Sequence, residues 1–355
     1  MNTVVIILLL LFPGQAPETT LEKIEKEVAA VVERAKPSVV QIQARVEKEV
    51  QPRIIYSRIV FLSGIVVSAD GGILTDLGGV EEARELRVTL PDGRQLPAEL
   101  RGGDRRTAVA LLRVKAEGLR PIEFADDTTI RQGMLAIAVA NPAGLKGSCS
   151  VGFVSGLSRT VMVQGLQFDD LIQTTALLQP GDAGGLLANS RGQIVGMVHS
   201  RYVTDGFDPG PGGFLRVLPG EGLDFLPAGG QSVGFATPSS TLRFVAERLM
   251  KSGKVVRGWV GVAVRPLDAV VRARVKLAEG RGALVTNLEE NGPAARAGLR
   301  KGDILIDFDG QPVSDLPALR RRVVESPAPK MVRVRAWRAG ATVDLDLTIE
   351  EERQP

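Results

Sequence analysis

Residues 37–200 consist mainly of short runs rich in Val, Ile and Leu, with turn residues between them. The clearest of these runs are Val39–Ile42, Arg58–Ser68, Leu86–Leu90, Ala110–Val114 and Leu135–Ala140. Pro91-Asp92-Gly93 is typical of a hairpin turn. Because the runs follow one another without intervening helices, they predict an all-β domain built from two barrels. Aromatic residues make up only 4% of the chain, so we expect the cores to be aliphatic.

Helices are predicted on both sides of this strand-rich region. Residues Thr20–Ala35 carry an apolar stripe, with Glu22 in the first turn and Thr19 or Thr20 placed to cap it. A second helix is predicted at Thr241–Lys251, before a hinge at 252–254. Residues 203–230 are dense in Gly and Pro and predict an irregular surface insertion, with contact to a partner as a second interpretation.

Residues 181–185 read Gly-Asp-Ala-Gly-Gly, which resembles the nucleophile loop of a serine protease. In such a loop a Ser hydroxyl attacks a peptide carbonyl while backbone N–H groups hold the developing oxyanion. The glycines allow a sharp turn and a close approach to the substrate. Ala183 occupies the nucleophile position, and a methyl group cannot act as a nucleophile. Gly181 and Asp182 are then the remnant of an oxyanion loop.

Two further segments carry the resemblance to the HtrA/DegP family, which are exported trypsin-like proteases with PDZ domains. Residues 71–83 are similar to the family's histidine segment, and the histidine position falls on Gly78. Residues 101–113 are similar to its aspartate segment, and the aspartate position falls on Ala108. Similar frames recur in the family's order at 141–145, 192–197 and 234–239, so the resemblance covers roughly residues 37–350. It implies a mainly β protein with a trypsin-like double β-barrel at 37–252, preceded by a helical segment at 17–36 and followed by a PDZ domain at 256–350.

The resemblance implies a pseudoprotease, because all three triad positions lack their chemical groups. The chain has one histidine, His199, sixteen residues after Ala183 at the end of an apolar run. We expect it to be a strand-end or pocket-wall residue and not the catalytic base. One alternative is a serine endopeptidase with a rewired site, such as Lys146 paired with Ser148 or Ser150. Another is a structural subunit of a mixed oligomer with an active homologue.

Residues 256–350 resemble an HtrA-type PDZ domain. The loop and first strand that would receive a peptide C-terminus are Gly258, Trp259, Val260, Gly261 and Val262. A helix is predicted at 316–325, capped by Asp315. On it Leu319 and Val323 lie one turn apart, and we expect them to line the groove. The alternative is that both belong to the core.

Composition and the N-terminus bound the remaining possibilities. The chain has 44 basic and 41 acidic residues, and this balance gives no indication of a nucleic-acid partner. One His and one Cys predict no metal site, and no motif indicates a cofactor. The single Cys149 is expected to be a small buried residue on a strand. The apolar run Val4–Phe12, followed by Gly14-Gln15-Ala16, predicts a signal peptide at 1–16.

Export to the periplasm or cell envelope follows from that segment, with an N-terminal membrane anchor as the alternative. The family resemblance implies unfolded or C-terminal peptides as partners. It also implies contact with an active HtrA homologue, or a homo-oligomer, which in the family is commonly a trimer.

Overall fold

The computed structural model describes residues 18–51, 54–142, 145–163, 166–179, 181–199, 202–203, 215–217, 232–267, 282–313 and 316–352. The predicted signal segment lies outside these residues. So does most of the predicted insertion at 203–230, and so does Asp315. Among the residues that the structure describes, no helix combines the length and the apolar character needed to cross a membrane.

The first helix, α1, spans Thr20–Ala35, as the sequence predicts. Its N-terminus is a capping box. The Thr19 hydroxyl accepts the Glu22 N–H at 3.2 Å, and the Glu22 carboxylate accepts the Thr19 N–H at 2.7 Å. Val31, Val32 and Ala35 are buried, and they pack in a cluster shared with strands of both barrels.

The first barrel is an antiparallel sheet of seven strands. They are β1 (Val39–Gln51), β2 (Ile54–Val66), β3 (Gly72–Asp76), β4 (Ala83–Thr89), β5 (Gln95–Pro97), β6 (Glu99–Asp104) and β7 (Val109–Arg113). Their order in the sheet is β5-β4-β1-β2-β3-β7-β6. The predicted turn at 91–93 joins β4 to β5, where the Leu90 N–H donates to the Arg94 carbonyl at 2.9 Å.

The second barrel follows in the chain and closes on itself. Its strands are β8 (Leu135–Ala140), β9 (Ser148–Val163), β10 (Leu166–Thr174), β11 (Leu186–Ala188), β12 (Ile194–Val198), β13 (Tyr202–Val203), β14 (Leu215–Val217) and β15 (Ser232–Pro238). The path β10-β15-β12-β11-β8-β9 is closed by direct pairing of β9 with β10. Strand β13 pairs with β15, and β14 pairs in parallel with β9.

Helix α2 spans Ser239–Ser252 and begins earlier than the predicted Thr241. The reason is a cap supplied from far away in the sequence. The Asp127 carboxylate accepts the Ser240 N–H at 3.0 Å and also the Ser239 hydroxyl. The N-terminal turn is therefore stabilised by a residue that local sequence patterns do not reveal.

Cys149 corrects one expectation, because it lies on strand β9 but is exposed. Successive side chains of a strand point to opposite faces, and here Gly152 and Val154 face the barrel interior. The outer face of β9, which we define as Cys149, Val151, Phe153 and Leu157, is consequently open to solvent. Cys149 is therefore not buried, because its position on β9 places its side chain on the outer face.

The described residues of the C-terminal domain form a third sheet and two helices. Its elements are β16 (Gly258–Trp259), β17 (Val262–Pro266), β18 (Ala283–Leu288), α3 (Pro293–Arg296), β19 (Ile304–Phe308), β20 (Gln311–Pro312), α4 (Leu316–Glu325), β21 (Lys330–Arg338) and β22 (Ala341–Glu351). The sheet order is β16-β22-β21-β19-β18-β17, and β20 pairs with β19. The domain has its own aliphatic core, separate from those of the barrels.

The C-terminal domain is tied to the first barrel by a buried ion pair. The Arg257 guanidinium contacts both oxygens of Asp104, at 2.7 and 2.5 Å, and both side chains are buried. Beside this pair, the chain after α2 passes so close to β6 that a Cβ at Gly102 would lie 2.0 Å from the Gly253 carbonyl oxygen. An exposed pair, Arg106 with Glu352, joins the same two regions.

Candidate functional site

The loop at 181–185 is held between the barrels by backbone contacts. The Ala183 carbonyl accepts the Ser63 N–H at 2.9 Å, and the Gly184 N–H donates to Val198 at 2.8 Å. Gly184 has φ +81°, and a Cβ there would lie 2.2 Å from the Ser63 carbonyl oxygen. Only glycine fits this position. The frame of a nucleophile loop is therefore present, with Ala183 at its tip and largely buried.

Ser63 organises the back of this loop, and sequence inspection missed it. Its hydroxyl donates to the Gly181 carbonyl at 3.0 Å and accepts the Asn141 N–H at 2.8 Å. Its own carbonyl accepts the Thr75 hydroxyl at 2.7 Å. A single serine on β2 thus links the loop to the turn after β8. Of the residues that Ser63 contacts at the back of the loop, only Asn141 stood out in the sequence, because it is the first residue of a turn that resembles the family's.

Asp182 lies inside the loop with 7% of its surface exposed. Its carboxylate accepts the Gln179 N–H at 2.6 Å. Burial raises the pKa of Asp182, and the hydrogen bond from Gln179 opposes this rise without cancelling it. Because the carboxylate bonds the backbone of its own loop, it stabilises the loop's shape and does not replace the missing nucleophile.

Gly78 lies in a tight turn at Leu77–Gly79, immediately after β3. The Asp76 carboxylate accepts the Gly78 N–H at 3.0 Å. A Cβ at Gly78 would meet only the Asp76 Oδ1 atom, at 3.2 Å, whereas a Cβ at Gly79 would lie 2.2 Å from Leu62. Position 78, which resembles the family's histidine position, therefore has space for a Cβ with one close contact, and position 79 does not.

Ala108 has φ +52°, which is uncommon for a residue with a side chain. Its carbonyl accepts the Leu77 N–H at 2.8 Å, so it is linked to the turn that carries Gly78. Its methyl group packs against the apolar cluster that contains Phe168 and Phe235. The two barrel-one positions that resemble triad members are thus adjacent in the fold, and neither has an ionisable group.

His199 follows β12 directly, so its predicted place at a strand end is confirmed. It is 1% exposed, and its ring contacts Asp76 and Thr237. The predicted alternative of a Lys146 dyad does not form among the described residues. The Ser150 hydroxyl donates to Leu177 at 2.7 Å, the Ser148 hydroxyl contacts the Leu145 carbonyl at 3.5 Å, and neither bonds Lys146.

The loop at 258–262 has its carbonyl groups turned into the C-terminal domain. The Val260 carbonyl accepts the Ala294 N–H at 2.9 Å, and the Gly261 carbonyl accepts the Glu289 N–H at 2.9 Å. Gly261 has φ +68°. Within the described part of the chain, the N–H groups of Val260 and Gly261 donate to no protein acceptor. Two adjacent free donors in such a turn suit an anionic group.

Strand β17 and helix α4 contact each other beside this loop, where the PDZ resemblance places the peptide groove. Gly258 allows the close packing of β16 against α4, because a Cβ there would lie 2.2 Å from the Val323 carbonyl oxygen. Val262 on β17 and Val323 on α4 are half-buried at the edge of the core. Leu319 is 4% exposed and belongs to the core itself, as the second interpretation of this residue expects. Contact of Leu319 and Val323 with a peptide stays a prediction.

Metal chemistry has no support in the described ranges, where no three His, Cys, Asp or Glu side chains come close enough to hold an ion. Two regions stand out in the described residues. One is the loop at 258–262 with its backbone donors, and the other is the protease-like loop at 181–185, near which Gly78, Ala108 and Ala183 stand at the positions that resemble triad members.

Comparison with known families agrees with this architecture. Residues 62–197 match the trypsin-like peptidase domain family, and residues 258–349 match the PDZ domain family. The chain is similar to a "Probable periplasmic serine endoprotease DegP-like" of Chlamydia trachomatis serovar D, with 33% identity over 289 residues, which cover 81% of this chain and 54% of the relative. A relative with the same description from Brucella suis biovar 1 is 32% identical over 290 residues, covering 81% and 52%. The chain thus spans about half the length of these relatives.

Solved structures extend the similarity across both domains. The HtrA-type protease AlgW with a tripeptide has a TM-score of 0.73 and 27% identity, and the alignment covers 92% of this chain and 98% of that one. AlgW with a decapeptide has a TM-score of 0.69 and 27% identity, covering 92% and 99%. The predicted double barrel followed by a PDZ domain is therefore confirmed, and the chain is a homologue of the HtrA/DegP serine endoproteases.

Proposed function

We propose that this protein is an HtrA-type pseudoprotease that binds polypeptides. The observation that carries the proposal is the chemistry of the cleft, where Gly78, Ala108 and Ala183 occupy the three triad positions. Proteolysis by a triad needs a nucleophile and a base in hydrogen-bonding contact. The only imidazole in the chain bonds a carboxylate and a buried threonine instead. Binding requires none of the missing groups.

The peptide-binding part of the proposal rests on the PDZ loop and on its relatives. The N–H groups of Val260 and Gly261, which donate to no acceptor among the described residues, suit a terminal carboxylate, and β17 is the last described strand of its sheet, where an extended peptide can pair. Structures of the similar protease AlgW contain a tripeptide or a decapeptide. The role that follows is a scaffold, a chaperone-like holder or a regulator in envelope protein quality control.

Location and assembly belong to the same proposal. Export to the periplasm is supported by the apolar segment Val4–Phe12 and by relatives described as periplasmic. A homo-oligomer is supported by the outer face of β9, where Val151 is 48% and Phe153 is 53% exposed. The proposed alternative is that an active HtrA homologue binds to the outer face of β9.

The deciding experiment measures proteolysis and active-site labelling of the purified full chain. We expect no cleavage of unfolded casein and no reaction with a fluorophosphonate probe, because no serine hydroxyl in the described residues bonds a histidine or a lysine. An active HtrA-type protease treated in parallel is the positive control. Labelling at any serine, located by mass spectrometry in protein free of contaminating protease, would refute the pseudoprotease and favour a rewired endopeptidase.

A further inference from the structure

Two buried side chains and one half-buried carboxylate form a continuous hydrogen-bonded chain across the seam between the two barrels. Asp76 ends β3 of the first barrel, while His199 and Thr237 belong to the second. The His199 Nδ1 atom lies 3.2 Å from Asp76 Oδ2, and its Nε2 atom lies 2.5 Å from Thr237 Oγ1. His199 is 1% and Thr237 is 2% exposed, whereas the Asp76 side chain is 13% exposed, so solvent reaches only the carboxylate end of this hydrogen-bonded chain.

The chemistry of the chain assigns each donor and acceptor. An ionised carboxylate can only accept, so the His199 proton on Nδ1 is directed at Asp76. In the neutral ring Nε2 then accepts the hydroxyl proton of Thr237. The Phe168 ring packs beside the imidazole, with 6.1 Å between ring centroids. Every polar atom of a buried histidine is thereby satisfied, and a buried polar group without such partners is costly.

The hydrogen-bonded chain Asp76–His199–Thr237 lies directly behind the vacated triad positions. The second oxygen of Asp76 holds the Gly78 N–H. On the other side, the Thr237 hydroxyl lies 3.5 Å from the carbonyl of Thr107, the residue before Ala108. His199 is thus enclosed by the two segments of the first barrel that carry the former histidine and aspartate positions.

The triad positions themselves are divided between the barrels. Gly78 and Ala108 belong to the first barrel and Ala183 precedes β11 of the second. A Ser-His-Asp triad at these positions would join the barrels by side-chain hydrogen bonds, because each member bonds the next. With glycine and alanine there, those bonds are lost at the seam. The Asp76–His199 hydrogen bond crosses the same seam.

We propose that His199 replaces the triad as the polar link between the barrels, acting as a positioning residue that keeps the vacated cleft closed from behind. Thr237, His199 and Asp76 bond one another in the order hydroxyl, imidazole and carboxylate, as a catalytic triad does. We propose that they nevertheless do not act on a substrate. Thr237 is buried, so a peptide carbonyl has no path to its hydroxyl in this conformation.

The first test is spectroscopic and uses the fact that the full chain has only one histidine. In protein labelled with ¹⁵N-histidine, we expect one ring N–H resonance that is protected from solvent exchange. Asp76→Asn and Thr237→Val should each shift it, because each changes one bond of the ring. Rapid exchange in the parent protein, or ring signals that neither substitution moves, would overturn the proposal.

The second test measures opening of the seam through the thiol of Ala183→Cys in a Cys149→Ser background. His199→Phe keeps the ring's bulk but removes both hydrogen bonds, and Thr237→Val removes one. We expect each to raise the rate of maleimide modification about tenfold. The modification rate of the double variant His199→Phe with Thr237→Val should exceed that of His199→Phe by less than twofold, because the two residues act as one unit.

Thr174→Val is the matched control, since the Thr174 hydroxyl is equally buried but bonds only within the second barrel, to Phe153 and Ala176. It should leave the modification rate within twofold of the parent. An equal rise in this control, or no rise with His199→Phe in folded protein, would show that His199 does not hold the seam. Neither readout depends on proteolysis. Fluorophosphonate labelling at Thr237, by contrast, would overturn the positioning role by making the chain catalytic.

Discussion

Arg257 and Asp104 form a bidentate ion pair, and both charged side chains are buried where the PDZ domain meets the first barrel. Asp104 ends β6, and its carboxylate also accepts the Thr107 hydroxyl, at 2.5 Å. Arg257 directly precedes the loop that begins at Gly258. One carboxylate therefore fixes both the PDZ domain and the turn that leads to Ala108.

Removing one partner of this ion pair should destabilise the protein strongly. We expect Arg257→Met to cost about 3–5 kcal/mol in the free energy of unfolding, because Asp104 would stay buried without its counter-charge. Urea denaturation followed by circular dichroism provides the measurement. Glu81→Gln breaks the exposed pair of Glu81 with Arg105 and should cost about 1 kcal/mol or less. Equal effects of the two substitutions would contradict the importance assigned to the buried pair.

Asp182→Asn should stabilise the protein at neutral pH. Burial raises the pKa of Asp182, so the native state holds its proton to a higher pH than the unfolded chain does. Stability then falls as pH rises from about 3.9, the usual aspartate value, through the raised native pKa. The asparagine variant lacks this loss, and its amide oxygen can still accept the Gln179 N–H. Its advantage should be present at pH 7 and absent at pH 3, as measured by urea titration. An advantage of the same size at both pH values would show that the carboxyl's ionisation is not the cause.

Restoring the triad should require several substitutions together. Gly78→His, Ala108→Asp and Ala183→Ser are expected to give weak casein cleavage only in combination, because triad members act as a unit. The space at Gly78 favours the new histidine, and aspartate tolerates the positive φ of position 108 better than most residues. Adding His199→Ser to the triple variant should raise the rate of casein cleavage. This substitution removes the hydrogen bond between His199 and Asp76 and leaves space behind the restored triad. The double variant Gly78→His with Ala108→Asp, which retains Ala183, is the control. Cleavage by Ala183→Ser alone would show that the base comes from a group not identified in the cleft.

Peptide binding should depend on the terminal carboxylate. The full chain is expected to bind peptides with an apolar C-terminal residue at an affinity on the order of micromolar, measured by calorimetry. Amidation should remove most of the affinity, because the Val260 and Gly261 N–H groups lose their anionic acceptor. Val323→Lys should weaken binding by placing a charge at the groove edge, whereas Met331→Lys, at a site 70% exposed on β21, should not. Leu319→Lys is uninformative, since a lysine in the core would unfold the domain. Equal affinity for amidated and free peptides would mean that the loop does not receive a carboxylate.

Self-association should depend on the outer face of β9. Phe153→Glu is expected to weaken the oligomer at least tenfold in sedimentation velocity, because burial of such a side chain contributes roughly 1.5–3 kcal/mol. Met331→Glu changes a more exposed apolar residue, in the PDZ domain, and should leave the distribution unchanged. A parent protein that is monomeric at all concentrations, both alone and mixed with an active homologue, would contradict both proposed uses of this face.

Local sequence patterns predicted the features that depend on neighbouring residues. The N-terminus of α1 follows from the capping box at Thr19 and Glu22, and its end from the Pro37 that comes after it. That Gly78, Ala108 and Ala183 stand at the triad positions stays a prediction. The features that depend on distant partners were not predictable. His199 and Asp76 are 123 residues apart, and Ser63 and Gly181 are 118 apart, so no periodicity records either contact. Cys149 was assigned to the wrong face because an apolar side chain alone does not specify which side of a strand is buried.

The backbone contacts of the loop at 181–185 have a consequence for the interpretation of protease-like sequences. The Ala183 carbonyl and the Gly184 N–H join β2 to β12 whether or not position 183 carries a hydroxyl. The glycine-rich signature is therefore a requirement for assembling two barrels, and the nucleophile is an addition to it. Because these backbone contacts do not involve the side chain of residue 183, the glycine-rich motif by itself does not show that a chain is an enzyme.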